Sequence, residues 1–272
     1  MTTADGLTAS PRGAAAASAL SAGRARRRRA DNLRGWLYCT PFLLAFGVFL
    51  IWPTVYGLWM SFTGTSLAGT NTQFVGLDNW VEALGDPQVW TSLVNTAWFT
   101  VLSTIPLVLV AMLLAVLVNI GLPGQWFWRL SFFMPFLLAS TVVSQFWNWM
   151  YNPQLGLINT FLGWFGISGP AWLQDPNTAM IAVVITTVWW TIGFNFLLYL
   201  AALQNIPDQL YEAASLDGAG GWRKFLSITL PQLAPTTVLV LVLQMLASLK
   251  VFDQIYQMTG GGPGGTTRPV LL

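Results

Sequence analysis

Long apolar runs broken by short polar ones set the pattern of this chain. Five stretches, at about residues 36–62, 93–118, 126–150, 180–203 and 233–258, are predominantly apolar. Each meets the roughly 20 apolar residues that a helix needs to cross a hydrocarbon layer about 30 Å thick. Trp and Tyr gather near their ends (Trp36, Tyr38, Trp90, Trp126, Trp128, Trp149, Tyr151, Tyr256), as in the aromatic belts of membrane helices. None of these segments carries a charged face, their only charges being the isolated Arg129, Lys250 and Asp253, so they do not read as helices of a soluble bundle. The pattern predicts an all-α polytopic membrane protein with five spans.

Composition agrees. Apolar residues make up 54% of the chain and charged residues only 8%, against roughly 25% charged in soluble domains. The single Cys39 excludes an internal disulfide framework, and the absence of His excludes His-based acid–base chemistry and His metal sites. No cofactor, no metal and no nucleic-acid partner is expected, and no residue is a candidate for covalent catalysis.

The placement of positive charge orients the spans. Arg12, Arg24, Arg26, Arg27, Arg28, Arg29 and Arg34 precede the first span, Arg129 falls by the second–third connection, and Arg223 and Lys224 by the fourth–fifth. The first–second and third–fourth connections hold neither Lys nor Arg. The positive-inside rule therefore predicts a cytoplasmic N-terminus and puts the segment 205–231 on the same side. Residues 1–34, rich in Ala, Ser, Gly and Arg, read as a disordered basic cytoplasmic tail, and 35–272 as the transmembrane domain. The first apolar run is too long for a signal peptide and reads as an uncleaved span.

The segment 205–231 is short and polar between two apolar runs. Pro207 suits the first turn of a helix, Asp208 and Glu212 complement its dipole, and Gly218 can take the left-handed conformation that stops it. A second short helix over 222–229 is expected to break at Leu230, because Pro231 biases its predecessor away from helical angles. The product would be a helix–turn–helix knob.

Glu212-Ala213-Ala214-Ser215-Leu216-Asp217-Gly218 followed by Ile228-Thr229-Leu230-Pro231 resembles the "EAA" signature of bacterial ABC importer permeases, with E-A-A-x3-G-x9-I-x-L-P in register. Trp52-Pro53-Thr54, Phe74-Val75-Gly76-Leu77-Asp78-Asn79-Trp80, Asn95-Thr96, Phe133-Met134-Pro135, and Val251-Phe252-Asp253-Gln254-Ile255-Tyr256 with Thr259-Gly260-Gly261-Gly262-Pro263 are similar to its carbohydrate branch. The resemblance implies the type I ABC importer transmembrane fold in a bacterial inner membrane. It also implies that Glu212, Ala213, Ala214, Asp217, Gly218, Ile228, Leu230 and Pro231 form the segment that contacts ATPase subunits. The implied partners are those ATPases, a second permease, different or identical, an extracytoplasmic solute-binding protein and the lipid bilayer. The family normally has a sixth span after the Gly-rich loop 259–272. Five are expected here, with the usual sixth missing. Gly260–Gly265 lacks the Lys-Ser/Thr of a phosphate loop and is expected to be a flexible outer turn, so ATP binding belongs to another polypeptide.

For the solute pathway, Lys250 and Asp253 are three residues apart in the fifth span, so they are expected to lie on one helical face and to be able to pair. Together with Ser248 they are candidates for substrate contact, or for a structural ion pair. Trp147, Asn148 and Asn195 are further candidates for stacking and hydrogen bonding to a sugar, against a plain packing role. The expected function is the permease subunit of an ATP-driven importer for a sugar or polyol. The alternatives are a permease for a phosphodiester, amino acid or peptide, a membrane-embedded enzyme using Asp78, Glu82 and Asp86, or an ATP-independent carrier.

Overall fold

The computed structural model describes residues 35–64, 73–121 and 123–272. The basic tail expected over residues 1–34 lies outside the described residues. Apart from one antiparallel bridge between Thr63 and Phe74, the described regular structure is helical. The chain divides into two compact units, Met1–Gly85 and Asp86–Leu272.

In the first unit, α1 (Gly35–Met60) is long and apolar enough to cross a membrane, and none of its residues is buried. A short helix, α2 (Asp78–Gly85), is tied to the end of α1 because Asn79 Nδ2 donates to the carbonyls of Ser61 and Thr63, both at 3.0 Å.

The second unit is built on α3 (Pro87–Asn119) and α7 (Ala179–Gln204), which pack along much of their length. The Asp86 carboxylate caps α3 by accepting from the Gln88 N–H at 2.8 Å. One face of α3 is buried at helical spacing: Thr96, Phe99, Ser103, Leu107, Ala111, Ala115 and Val118. Small side chains dominate its second half, which lets helices approach closely in the absence of a hydrophobic driving force within lipid. Gly193 on α7 serves the same end. A Cβ there would stand 2.3 Å from the Phe132 carbonyl oxygen, so only glycine permits this crossing with α4 (Gln125–Leu137).

The stretch 126–150, expected as one span, is two helices. α4 ends in a tight turn at Met134–Leu137 containing Pro135, Leu138 and Ala139 are extended, and α5 (Ser140–Met150) leaves at 100° to α4. Pro135 deprives the turn of a donor, and periodicity alone does not register such a bend. After α5 come α6 (Leu157–Trp164) and α7.

The expected helix break at Leu230 is absent. Gly221–Leu249 forms one helix, α9, and Leu230 has helical angles (φ −64°, ψ −44°). The proline is accommodated by a π-turn over Phe225–Thr229, in which the Leu230 N–H donates to the Phe225 carbonyl. The wider turn takes up the register that a proline ring would otherwise disrupt at the carbonyl four residues back. The same device precedes Pro53 in α1, where Gly47–Ile51 is π-helical and the Trp52 N–H donates to Gly47. The fifth apolar stretch, expected to run to Met258, instead breaks after Leu249, and α10 (Asp253–Met258) is a separate short helix packed on α5.

Candidate functional site

Between α7 and α9 lies a knob whose main element is α8 (Asp208–Leu216). Pro207 sits one position earlier than its expected place, as the N-cap, and its carbonyl accepts from the Leu210 N–H at 3.1 Å. Gly218 takes φ +73°. The Ala219 N–H reaches the Ala214 carbonyl at 2.9 Å and the Gly218 N–H that of Ser215 at 3.0 Å, the paired bonds of a Schellman C-cap. Two side-chain bonds then fasten α9 to α8: Lys224 Nζ donates to Ser215 Oγ at 2.6 Å, and the Tyr211 and Thr229 hydroxyls meet at 2.9 Å. The knob is thus a closed unit, braced at the π-turn.

The eight residues of the motif do different things. Glu212, Ala213, Asp217 and Gly218 are exposed, and Ala214 is half-buried in the turn. Ile228 faces inward with Tyr211 onto the core formed by Leu203, Ile206 and Leu233, whereas Leu230 and Pro231 lie exposed on the shaft of α9. The open side also carries two apolar side chains that the motif does not name, Leu216 (91% exposed) and Trp222 (73%). The sequence does not single them out, because the same connection also holds Leu210, Phe225 and Leu226.

A second feature lies inside the bundle. Asn195 Nδ2 donates to Gln244 Oε1 at 3.2 Å, Gln244 Nε2 to Ser248 Oγ at 3.3 Å, and the Ser248 and Ser103 hydroxyls meet at 3.1 Å. This buried chain joins α7, α9 and α3 without a charged group. It brings together the expected Asn195 and Ser248, and adds Ser103, which the sequence reading missed. Nearby, Gln254 Nε2 of α10 donates to Thr187 Oγ1 of α7 at 3.4 Å.

Lys250 and Asp253 do not share a helical face. Lys250 (φ −100°, ψ 18°) caps the end of α9, and Asp253 opens α10 beyond the break. Both are exposed, and no ion pair joins them among the described residues. Trp147 and Asn148 lie on α5. Asn148 Nδ2 donates to the Gln257 carbonyl at 3.3 Å, while Trp147 packs between Tyr151 and Trp189 at ring distances of 5.2 and 5.6 Å. Ser144 Oγ, Trp147 Nε1, Asn148 Oδ1 and Gln257 Oε1 are buried without a hydrogen-bond partner among the described residues.

The Gly-rich loop, expected to be flexible, is pinned to the start of α3. Asn95 Nδ2 donates to the carbonyls of Gly265 (2.8 Å) and Arg268 (3.1 Å), and the Val270 N–H to Thr96 Oγ1 (3.0 Å). No cluster of His, Cys, Asp and Glu able to hold a metal occurs among the described residues.

These features define a polytopic helical membrane protein with a rigid element projecting between two of its spans. Residues 84–271 match the family of binding-protein-dependent transport system inner membrane components, and the chain belongs to that family. Among its relatives is the sulfoquinovosyl glycerol transport system permease protein of Agrobacterium fabrum, 35% identical over 89% of this chain and 79% of the relative. The trehalose/maltose transport system permease protein of Thermococcus litoralis is 37% identical over 88% and 81%. A solved bacterial ABC transporter that imports the acidic polysaccharide alginate has a subunit with a TM-score of 0.75 and 26% identity, over 89% of this chain and 83% of that one. The chain is a transport permease subunit, and its family is not one of enzymes.

Proposed function

We propose that this chain forms half of the pathway of an ATP-driven importer for a sugar or polyol. In this reading the N-terminus and the knob are cytoplasmic, in accord with the Lys and Arg distribution. Glu212–Gly218 docks against an ATPase subunit, with Leu216 and Trp222 supplying the apolar anchor that such interfaces concentrate. ATP-driven closure of the ATPases moves the knob as a lever, and its bonds at Ser215 and Thr229 transmit the motion into α9. The spans then alternate between access to either side. A solute-binding protein delivers the solute, and a second permease completes the pathway. A related alginate transporter has been solved with a bound periplasmic protein, which supports that arrangement.

The observation that carries the reading is the closed, braced knob with two large apolar side chains turned outward. A polar connector with no docking partner would gain nothing by exposing them in water. For the solute, Asn195, Gln244, Ser248 and Ser103 offer amide and hydroxyl groups without charge. Such groups suit a neutral hydroxylated solute better than an anion, whose buried charge needs a cationic partner. Ser248 and Asn195 are therefore the proposed pathway contacts, with Asn148 and Trp147, whose Oδ1 and Nε1 are buried without a hydrogen-bond partner among the described residues. Lys250 and Asp253 stand at the helix break as secondary candidates.

The test is affinity purification of the subunit in mild detergent, with mass spectrometry of what accompanies it, for the native chain and Glu212→Lys. An ATPase and a permease should accompany the native chain, and the ATPase should be lost from the variant. Recovery without an ATPase in both cases would overturn the reading.

A further inference from the structure

The connection between α5 and α7 contains no Asp, Glu, Lys or Arg from Asn152 to Gln174, yet it is not a loose loop. Asn159 holds it together: its Nδ2 donates to the Pro170 carbonyl at 3.1 Å, and its Oδ1 accepts from Trp172 Nε1 at 2.7 Å. Gly169 lies so close to Asn159 that an added Cβ would overlap the amide. Trp172 in turn packs on Tyr151, just beyond the end of α5, at a ring distance of 5.6 Å. At its C-terminus α6 is closed by Gly166 (φ +72°) and by the Ile167 N–H donating to the Leu162 carbonyl at 3.1 Å.

This bracket fixes α6 with two unlike faces. Ile158, Asn159 and Leu162 are half-buried, Ile158 against the core of the bundle. Leu157, Phe161, Trp164 and Phe165 recur at helical spacing on the other side, and all are exposed, Trp164 by 77%. Their surface follows in sequence the exposed Trp149 near the end of α5. Apolar area of this kind in water forfeits about 25 cal/mol per Å². A reversible protein-docking surface would be rimmed with charged groups, and no charged residue lies between Asn152 and Gln174.

We propose that α6 is an interfacial helix, with its Leu157–Phe161–Trp164–Phe165 face lying in the boundary between lipid headgroups and acyl chains. It lies on the membrane face opposite the knob, because α7 separates the two. Its occupant is lipid, and through Trp172 and Tyr151 it anchors the end of α5 in the plane of the bilayer.

Site-directed spin labelling tests this in the full chain, purified with its associated subunits and reconstituted in phosphatidylethanolamine/phosphatidylglycerol vesicles. Cys39→Ser provides the background, with nitroxides at Phe161→Cys and Trp164→Cys and a reference at the exposed Asn177→Cys. Collision rates with oxygen should exceed those with a water-soluble nickel chelate severalfold at 161 and 164, with the order reversed at 177. Access of the nickel chelate to 161 and 164 would overturn the proposal by showing a water-facing surface, available to a soluble partner. Protection from both reagents would overturn it by showing burial against protein. Should either variant fail to assemble, Leu157→Cys or Phe165→Cys reads the same face.

Discussion

The knob and the buried polar chain are built in opposite ways. The knob is contiguous: its cap, turn and braces fall between Pro207 and Thr229. The polar chain draws Ser103, Asn195, Gln244 and Ser248 from three helices, up to 145 positions apart. The first is held mainly by local backbone chemistry. The second exists only because α3, α7 and α9 pack closely. The knob should therefore tolerate changes in the bundle, and the polar chain should be sensitive to any change in helix approach.

The largest expected effect is at Gly218. Gly218→Val forces a β-branched residue into the left-handed region, at a cost of about 1–3 kcal/mol. The knob should lose its closure, and transport should be abolished while membrane insertion remains, as measured by uptake alongside membrane abundance. Next, Leu216→Asp should weaken ATPase association by about 2 kcal/mol if this side chain is an interface anchor, read by titrating the ATPase against permease in detergent. The hydrogen bonds of the polar chain, proposed above as solute contacts, should be unchanged.

Gln244→Leu should do the reverse. It strands Asn195 and Ser248 and should cost about 1–3 kcal/mol. Thermal unfolding should report the loss, and KM for uptake should rise while the ATPase stays bound. Combining it with Asn195→Leu should cost less than the two single changes added, because the pair shares one hydrogen bond. The smallest effect is expected at Lys250→Ala. With no ion pair to Asp253 among the described residues, its stability change should stay within about 0.5 kcal/mol. A larger loss would mean that Lys250 has a partner in the assembled transporter.

The same contrast explains what could be read from the sequence. Gly218 and the helix it ends were legible because a left-handed cap depends on one residue and its neighbours. The apolar stretches were legible as membrane helices, because length and hydropathy suffice. Their interruptions were not. Pro135 sits in the last turn of a helix, just before the chain bends by 100° at Leu138–Ala139, while Pro231 sits within a helix because a π-turn precedes it. Proline limits the local choices, and packing selects among them. The break at Lys250 separates two residues that periodicity had joined. Ser103 was the hardest to see. It belongs to a row of small polar and apolar residues along α3, and nothing in the row distinguishes it until Ser248 lies opposite.

The central claim is that the open face of the knob meets an ATPase. A photoreactive phenylalanine analogue at Leu216 tests it most directly, with a second at Val238 on the exposed side of α9 as reference. Irradiation of membranes containing the assembled transporter should link position 216 to an ATPase subunit and leave position 238 without that product. Lipid adducts alone at 216, or the same ATPase adduct at both positions, would contradict the account.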